Sequence, residues 1–379
     1  MAIGDVDLRI VWVRAGGHCV LCKKYLLQGE ITDLVYPLGE GAHVVGRKNS
    51  ERSPRGVDPL PESERDTPEN VLLACEKCHG EIDILLNTEV VDKAFLLKLK
   101  TEHEQEIRRL TGMITSAKTA VVRMVGDIRG NRTSLASAEA VLAVIRHSRI
   151  PNFMGAYDHT SEEIDLRDIV GEADATPAYY EHSTRKIDDV IERRIGEAIK
   201  RDEVNHLSVF ALARVPLLIY LGSRIDDAVA VELYQRHRAA DNWVWPETDP
   251  GTTFDLTCVR DGNPTDDVVL ITNLSGTTPL SDLPAGLKNV TVFTVTPSAG
   301  PAEDVISHPA VLERFTDTIR AFFTALEATH KGCKQVHLVG ALPASSAVAV
   351  GRLLKGRGIR PEILTYDRTD AGYIKALVI

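Results

Sequence analysis

The sequence has no apolar run long enough to cross a bilayer and no signal-peptide pattern at its N-terminus. It has only six cysteines in 379 residues. Without a route to an oxidising compartment, such cysteines are better explained as metal ligands than as disulfides. We therefore expect a cytoplasmic protein that has no membrane partner.

The sequence also lacks an excess of positive charge. The net charge of −10 argues against a protein that coats nucleic acid non-specifically. It does not exclude a nuclease, because a phosphate responds to charges within a Debye length of about 8–10 Å. Residues 47–55 hold one anion and a local group of cations: Arg47, Lys48, Arg52 and Arg55. This segment is either a solvated loop or a DNA-binding surface beside His43.

The length predicts two or three domains. The pattern of apolar and polar residues changes near residue 116, after a helical pattern that ends at Gly112. We place a first domain at residues 1–87, a connector helix at 88–116 and a larger α/β region at 117–379.

Four of the cysteines form two Cys-x-x-Cys pairs in the first domain. Two such knuckles are the ligand set of a closed, tetrahedral structural zinc site. A zinc ion bound there would tie distant parts of a small domain together. The predicted zinc ligands are Cys19, Cys22, Cys75 and Cys78.

Between and just after these pairs lie residues suited to phosphodiester hydrolysis, which requires a base and a metal ion. His43 on a predicted strand is the candidate general base, and the Asn70 amide is expected to hold its imidazole. His79 and Asp83 share a helical face and are candidate ligands for Mg²⁺ or a similar ion. Glu40 is a weaker candidate ligand.

Each of these residues has a structural alternative when it is considered alone. A histidine on a strand is usually a packed core residue, His79 could be a spare zinc ligand, and Asn70 could belong to a turn. The joint order of two knuckles with His, Asn and His is more specific, and it favours a nuclease.

Residues 117–379 show a repeated order of strand, turn, small-residue helix and strand, which predicts two α/β halves at about 117–250 and 251–379. Ligands bind such sheets outside the carboxyl ends of the strands. The loops expected there are 126–132, 213–216, 274–278 and 342–346, although any one of them could be a simple turn. The candidate ligand-binding residues are Arg129, Asn131, Arg132, Ser275, Thr277, Thr278, Ser345 and Ser346.

Residues 19–83 resemble the HNH endonuclease family, with His43, Asn70 and His79 at its three named positions. The resemblance implies an α+β, zinc-stabilised ββα-metal nuclease that acts on DNA. The sequence departs from the family at Ala42, where many members carry an Asp or His metal ligand.

Residues 117–379 resemble the SAVED domain, a cyclic-oligonucleotide sensor made of two CARF-like, Rossmann-like halves. The resemblance rests on motifs that include residues 216–222, 234–238, 269–276 and 341–343. An HNH domain followed by a SAVED domain resembles the effector of a CBASS antiphage system. That implies a homo-oligomer, a dimer or larger, which a cyclic di- or trinucleotide activates to cut double-stranded DNA.

A second function remains open at this stage. A zinc-ribbon DNA-binding regulator with a small-molecule sensor domain and no catalysis would use the same knuckles. The complete set of His43, Asn70 and His79 favours the nuclease, because a module that only binds DNA does not need it.

Overall fold

The structure is a computed structural model that describes residues 3–29, 33–112, 118–152, 162–167, 175–262, 267–354 and 361–379. The chain divides into two compact units, Met1–Ile114 and Thr115–Ile379. In the part of the chain that the structure describes, no helix is long and apolar enough to cross a bilayer.

The first unit is built on a two-stranded antiparallel sheet followed by a helix. Its elements in chain order are α1 (Asp5–Arg14), β1 (Gly39–His43), β2 (Val71–Cys75), α2 (Glu76–Ile82) and α3 (Lys93–Thr111), with 3₁₀ turns at Glu62–Glu64 and Leu85–Asn87. The sheet pairs Gly39 with Cys75 and His43 with Val71. This register places the candidate base at one end of the sheet and a knuckle cysteine at the other.

β1 passes close to α1 at Gly39. A Cβ on Gly39 would lie 2.9 Å from side-chain atoms of Trp12 and Leu26, so a larger residue would force these side chains to move. Buried residues of α1, β2 and α3 complete this small core, among them Val11, Leu72, Leu73 and Leu96.

Two predicted boundaries in this unit are wrong. Residues 31–36 include β-branched and aromatic side chains, which predicts a strand, but 33–36 form only an isolated bridge between Val35 and Gln28. Residues 31 and 32 lie outside the described residues. The helix predicted from residue 88 begins at Lys93, because the Asp92 side chain accepts a 2.7 Å hydrogen bond from the Phe95 N–H and caps it.

The first half of the second unit is a parallel sheet with helices around it. Its elements are β3 (Lys118–Val125), α4 (Ser137–Arg146), β4 (Ile150–Asn152), β5 (Glu162–Asp165), α5 (Pro177–Asp188), a π-helical segment (Asp189–Ile195), α6 (Gly196–Lys200), β6 (His206–Leu212), α7 (Val215–Arg224) and β7 (Ala230–Leu233). The strand order is β4-β3-β6-β7, and β5 also pairs with β3.

The second half is a larger mixed sheet. Its elements are β8 (Phe254–Arg260), β9 (Asp267–Asn273), β10 (Thr291–Pro297), α8 (Pro309–Thr329), β11 (Gln335–Ala341), α9 (Ala344–Leu354), β12 (Glu362–Thr369) and β13 (Gly372–Val378), with 3₁₀ turns at Leu280–Asp282 and Ala285–Leu287. The strand order is β13-β12-β11-β9-β10-β8. The outer strands β8 and β13 are antiparallel, and the four between them are parallel.

The two halves repeat one topology, as predicted. The parallel strands β10-β9-β11-β12 follow the same order along the chain as β4-β3-β6-β7. The equivalent helices α7 and α9 pack directly on each other. A Cβ on Gly222 would lie 2.0 Å from the Val348 carbonyl oxygen, and one on Gly351 would lie 1.9 Å from that of Ile219. Both glycines therefore allow the two helix backbones to touch.

Candidate functional site

The four knuckle cysteines come together in the first unit. Their Sγ atoms all lie within 4.8 Å of one another, and those of Cys22 and Cys75 are 3.7 Å apart. A tetrahedral zinc ion with Zn–S bonds of about 2.3 Å requires S–S separations of about 3.8 Å, so this geometry fits the ion. Backbone N–H groups of Cys22 and Cys78 donate to the sulfurs of Cys19 and Cys75, each at 3.5 Å.

The electrostatics of this cluster also favour a cation. Burial and the neighbouring thiols raise the pKa of the Cys78 thiol well above its usual range. Four thiols this close cannot all ionise without a compensating positive charge. A divalent ion would supply that charge, and it would join the 19–22 segment to the junction of β2 and α2.

His43 lies at the end of β1 beside an acid that sequence reasoning missed. Its Nε2 atom is 2.8 Å from the Asp66 Oδ1 atom. The other carboxylate oxygen, Oδ2, is 3.2 Å from Arg47 Nε. Asp66 lies 23 residues along the chain from His43, so no local pattern indicated this contact.

Asn70 does not hold the His43 imidazole, which corrects the prediction. Its side chain is buried, and its Oδ1 atom accepts a hydrogen bond from the Val45 N–H at 2.9 Å. Its Nδ2 group donates to the carbonyl oxygens of Val45 and Arg65, both at 2.9 Å. The amide therefore joins two backbone segments, one after His43 and one before Asp66.

His79 lies on α2 between two carboxylates. Its Nδ1 atom is 2.7 Å from Glu40 Oε2, and its Nε2 atom is 3.3 Å from Asp83 Oδ2. The hydrogen bond with Asp83 and, after it, the one with Glu40 raise the pKa of His79 to about 9 against the opposing effect of burial. Asp83 also lies 3.6 Å from the Arg55 guanidinium.

The predicted magnesium shell of His79, Asp83 and Glu40 is therefore only partly assembled. The two carboxylates contact different ring nitrogens, so all three side chains do not share one ion in this arrangement. Mg²⁺ prefers oxygen ligands, keeps several waters and often takes only one or two carboxylates, so Glu40 or Asp83 suits it. The His79 ring nitrogens are ligands for a divalent ion only after the ring loses the hydrogen that it shares with a carboxylate. Among the described residues, the four cysteines form the only larger group with metal-ligand spacing.

The cations that follow His43 fall into two groups, buried and exposed. Arg55, predicted to bind DNA, has only 4 % of its side chain exposed and donates to the carbonyl oxygens of Val44 and Ile82, each at 2.6 Å. It is a structural residue, which corrects the prediction. Lys48 and Arg52 are exposed, and Arg47 is half-buried beside Asp66.

Arg65 is also a structural residue, and no sequence pattern indicated its role. It is fully buried, and its guanidinium donates hydrogen bonds of 2.8–3.0 Å to four backbone carbonyls of the same loop, those of Gly46, Gly56, Asp58 and Leu60. Buried arginines at 55 and 65 thus hold the loop whose exposed face carries Lys48 and Arg52.

The predicted ligand-binding residues of the second unit are also of two kinds, exposed and buried. Arg129, Asn131, Arg132 and Thr277 are exposed, and Ser275 is half-buried.

The remaining predicted pocket residues are buried, which corrects their assignment. Thr278 bonds the Tyr373 hydroxyl at 2.9 Å, and the Ser345 hydroxyl donates to Gln235 Oε1 at 2.8 Å. Ser346 is fully buried as well. The Thr278 and Ser345 hydroxyls thus lie in protein contacts, and Ser345 makes its contact with the first half, whereas the Ser346 Oγ atom has no hydrogen-bond partner.

A buried polar contact links the two halves near these loops. The Asp367 carboxylate on β12 accepts hydrogen bonds from the Tyr180 hydroxyl at 2.5 Å and from Arg214 Nη1 at 2.7 Å. Arg214 directly precedes α7. Burial and the nearby Asp367 charge raise the pKa of Tyr180.

The second unit also contains a cavity of about 600 Å³ between β7, α8 and α9. Arg352 and Trp245 line it, and the Arg352 Nε atom has no hydrogen-bond partner. Burial would raise the pKa of Glu232 in the same wall, but hydrogen bonds from His147 and Arg149 lower it to about 2. The cavity lies at the C-terminal half of α9, away from Ser345.

Comparison with protein families gives one match. Residues 187–379 match the model of the SAVED family, "SMODS-associated and fused to various effectors sensor domain". The chain belongs to the SAVED family. The match covers the helical segment before β6 and everything after it, so the predicted sensor domain is confirmed over that range. No curated protein matches the chain.

Solved structures that resemble the SAVED chain include Cap4 SAVED/CARF-domain receptors. The Acinetobacter baumannii receptor with the cyclic trinucleotide 2'3'3'-cAAA is 12% identical, with a TM-score of 0.47 and coverage of 85% of this chain and 62% of that one. The same receptor with 3'3'3'-cAAA is 11% identical, with a TM-score of 0.46 and coverage of 85% and 63%. The Moraxella osloensis receptor is 13% identical, with a TM-score of 0.42 and coverage of 84% and 70%. The chain thus spans less than two thirds of the Acinetobacter receptor.

Proposed function

We propose that this chain is a DNA endonuclease of the HNH type, switched on by a cyclic di- or trinucleotide that binds its SAVED domain. In a bacterial CBASS system it would act as the antiphage effector. The observation that carries the nuclease proposal is the grouping in the first unit. A four-thiol cluster holds the junction of β2 and α2, where His79 meets Glu40 and Asp83, and β1 ends at His43.

In the proposed reaction His43 is the general base. Its imidazole removes a proton from a water molecule, and the water oxygen forms a bond to phosphorus as the bond to the leaving sugar oxygen breaks. A divalent ion, held by Glu40 and His79, would neutralise charge on the phosphate when bound. Lys48 and Arg52 would hold the duplex through its flanking phosphates.

The ligand proposal rests on the SAVED match, which names a sensor domain. The Acinetobacter receptor was solved with two cyclic trinucleotides, and we carry that ligand class over to this chain as part of the proposal. We assign the phosphates to the exposed loop residues at the carboxyl ends of β3 and β9, which are Arg129, Asn131, Arg132 and Thr277.

We further propose that the nuclease is idle without ligand, because unrestrained cleavage of DNA would kill the host cell. A ligand changes such an equilibrium only by its differential affinity for the two states. Binding would favour a homo-oligomer, a dimer or larger, in which two nuclease units can cut both strands.

The test is plasmid cleavage by the full chain in Mg²⁺ buffer with a panel of cyclic di- and trinucleotides. We expect cleavage with one class of ligand and none without it, and we expect Arg132→Ala to need more ligand than Arg193→Ala, an exposed control on the segment after α5. Ligand-dependent DNA binding without cleavage would instead identify a zinc-ribbon regulator.

A further inference from the structure

The contact between His43 and Asp66 bears on two properties of the imidazole: its position and which ring nitrogen carries the hydrogen. The imidazole and the carboxylate are 2.8 Å apart, with side chains 20% and 30% exposed. A carboxylate oxygen accepts hydrogen bonds and offers no hydrogen of its own when ionised. The shared hydrogen therefore lies on Nε2, and whenever the ring carries a single hydrogen its lone pair is on Nδ1.

The second oxygen of Asp66 is held independently. Arg47 Nε lies 3.2 Å from Oδ2, on the other side of the carboxylate from His43. With one oxygen on a guanidinium and one on an imidazole, the carboxylate plane has a defined orientation.

The backbone around this pair is fixed by Asn70. Its buried amide bonds both polar groups of Val45, two residues after His43, and the carbonyl of Arg65, one residue before Asp66. Arg65 is itself fully buried. The two segments that carry the pair are thus joined by three hydrogen bonds that involve neither His43 nor Asp66.

We propose that Asp66 is the positioning residue of the general base: it selects the Nε2–H tautomer of His43, so that Nδ1 is the atom that accepts the proton from water. Asn70 acts indirectly, because its amide holds the backbone segments that carry His43 and Asp66. This inference rests on the proposed nuclease function for its consequence, but the tautomer itself is a property of the resting protein.

The first measurement is the tautomer, by NMR of full-length protein labelled with ¹⁵N-histidine, with the His43 signals identified by their loss in His43→Gln. We expect long-range couplings that place the hydrogen on Nε2 in the wild type. In Asp66→Asn we expect loss of that preference. An Nδ1–H tautomer in the wild type, or an unchanged tautomer in Asp66→Asn, would overturn the proposal.

The second measurement is the rate of plasmid cleavage at saturating DNA and ligand. A general base held in the wrong tautomer loses much of its activity, so we expect Asp66→Asn to lower the rate by about 100-fold or more, with little change in the DNA concentration at half-maximal rate. Glu64→Gln, an exposed acid of the same loop, should cleave at the wild-type rate.

The two measurements separate the possible failures. If the wild type never cleaves DNA, the nuclease proposal fails while the tautomer result still stands. If the wild type cleaves and Asp66→Asn cleaves equally fast with its zinc content unchanged, the positioning role of Asp66 is wrong.

Discussion

At the residue scale, cations that look alike in the sequence have opposite surroundings. Arg55 donates to backbone carbonyls and has almost no exposed surface, whereas Lys48 and Arg52 of the same segment are exposed. Residue type and spacing could predict a basic segment next to His43. They could not predict which guanidinium the loop folds around, because that depends on contacts with Ile82 and Val91 far along the chain.

This difference predicts different mutant behaviour. Lys48→Ala or Arg52→Ala should weaken DNA binding uniformly across sequences and lower the salt dependence of binding by about one phosphate contact each, with an unchanged melting temperature. Arg55→Ala should instead destabilise the protein by about 2–4 kcal/mol, because it leaves buried carbonyls unpaired. Binding titrations over a range of salt concentration and thermal melts distinguish the two. A salt effect of Arg55→Ala at full stability would contradict the assignment.

His206 predicts how stability depends on pH. Burial, and the nearby positive charge of Arg149, lower the pKa of His206 to about 4 from about 6.5, even though Glu232 lies 3.7 Å away and opposes the shift. The unfolded chain then binds a proton between pH 6.5 and 4 that the folded chain does not. Stability should therefore fall as the pH falls through this window, by at most about 3 kcal/mol from this group.

Unfolding in denaturant between pH 7 and 4 checks this expectation, with His206→Gln as the comparison. The variant removes the group that gains a proton on unfolding, so its stability should change less over the same window. His147, which bonds Glu232 and is partly exposed, stays in place as an internal control. Equal pH dependence in both proteins would contradict the role of His206.

At the scale of elements, the halves of the SAVED domain could be predicted because they repeat. Alternating buried strands and small-residue helices identified β9, β11 and α9, and the repeat of β6 and α7 supported them. The edge strand β8 was missed because its side chains are largely exposed, so no apolar run marks it. The buried contact of Ser345 was missed because it is made with Gln235 in the other half.

The contact between α7 and α9 predicts a position that tolerates no side chain. A Cβ on Gly222 would lie 2.0 Å from a backbone oxygen of α9, so Gly222→Ala must push the two helices apart. We expect a loss of several kcal/mol, seen as a large drop in melting temperature. Gly286→Ala is the matched control, since nothing lies within 4 Å of its Cβ position. Similar melting temperatures for both variants would contradict direct backbone packing.

At the scale of the whole molecule, the chain combines a thiol-clamped sheet and helix with a duplicated sensor of the SAVED family. The family assignment concerns the second unit, and the nuclease proposal rests on side-chain geometry in the first. Sequence spacing predicted that the four cysteines meet, and their Sγ atoms do lie together. It misassigned the role of Asn70 and missed Asp66, because both roles depend on how the 46–69 loop folds back onto β1.

The most direct test is plasmid cleavage by the full wild-type chain beside His43→Ala, with zinc content measured on both preparations. We predict one bound zinc per chain in both, ligand-dependent cleavage by the wild type only, and equal binding of the cyclic nucleotide. Cleavage by the wild type without ligand would contradict the switch. Undiminished cleavage by His43→Ala would contradict the proposed nuclease centre.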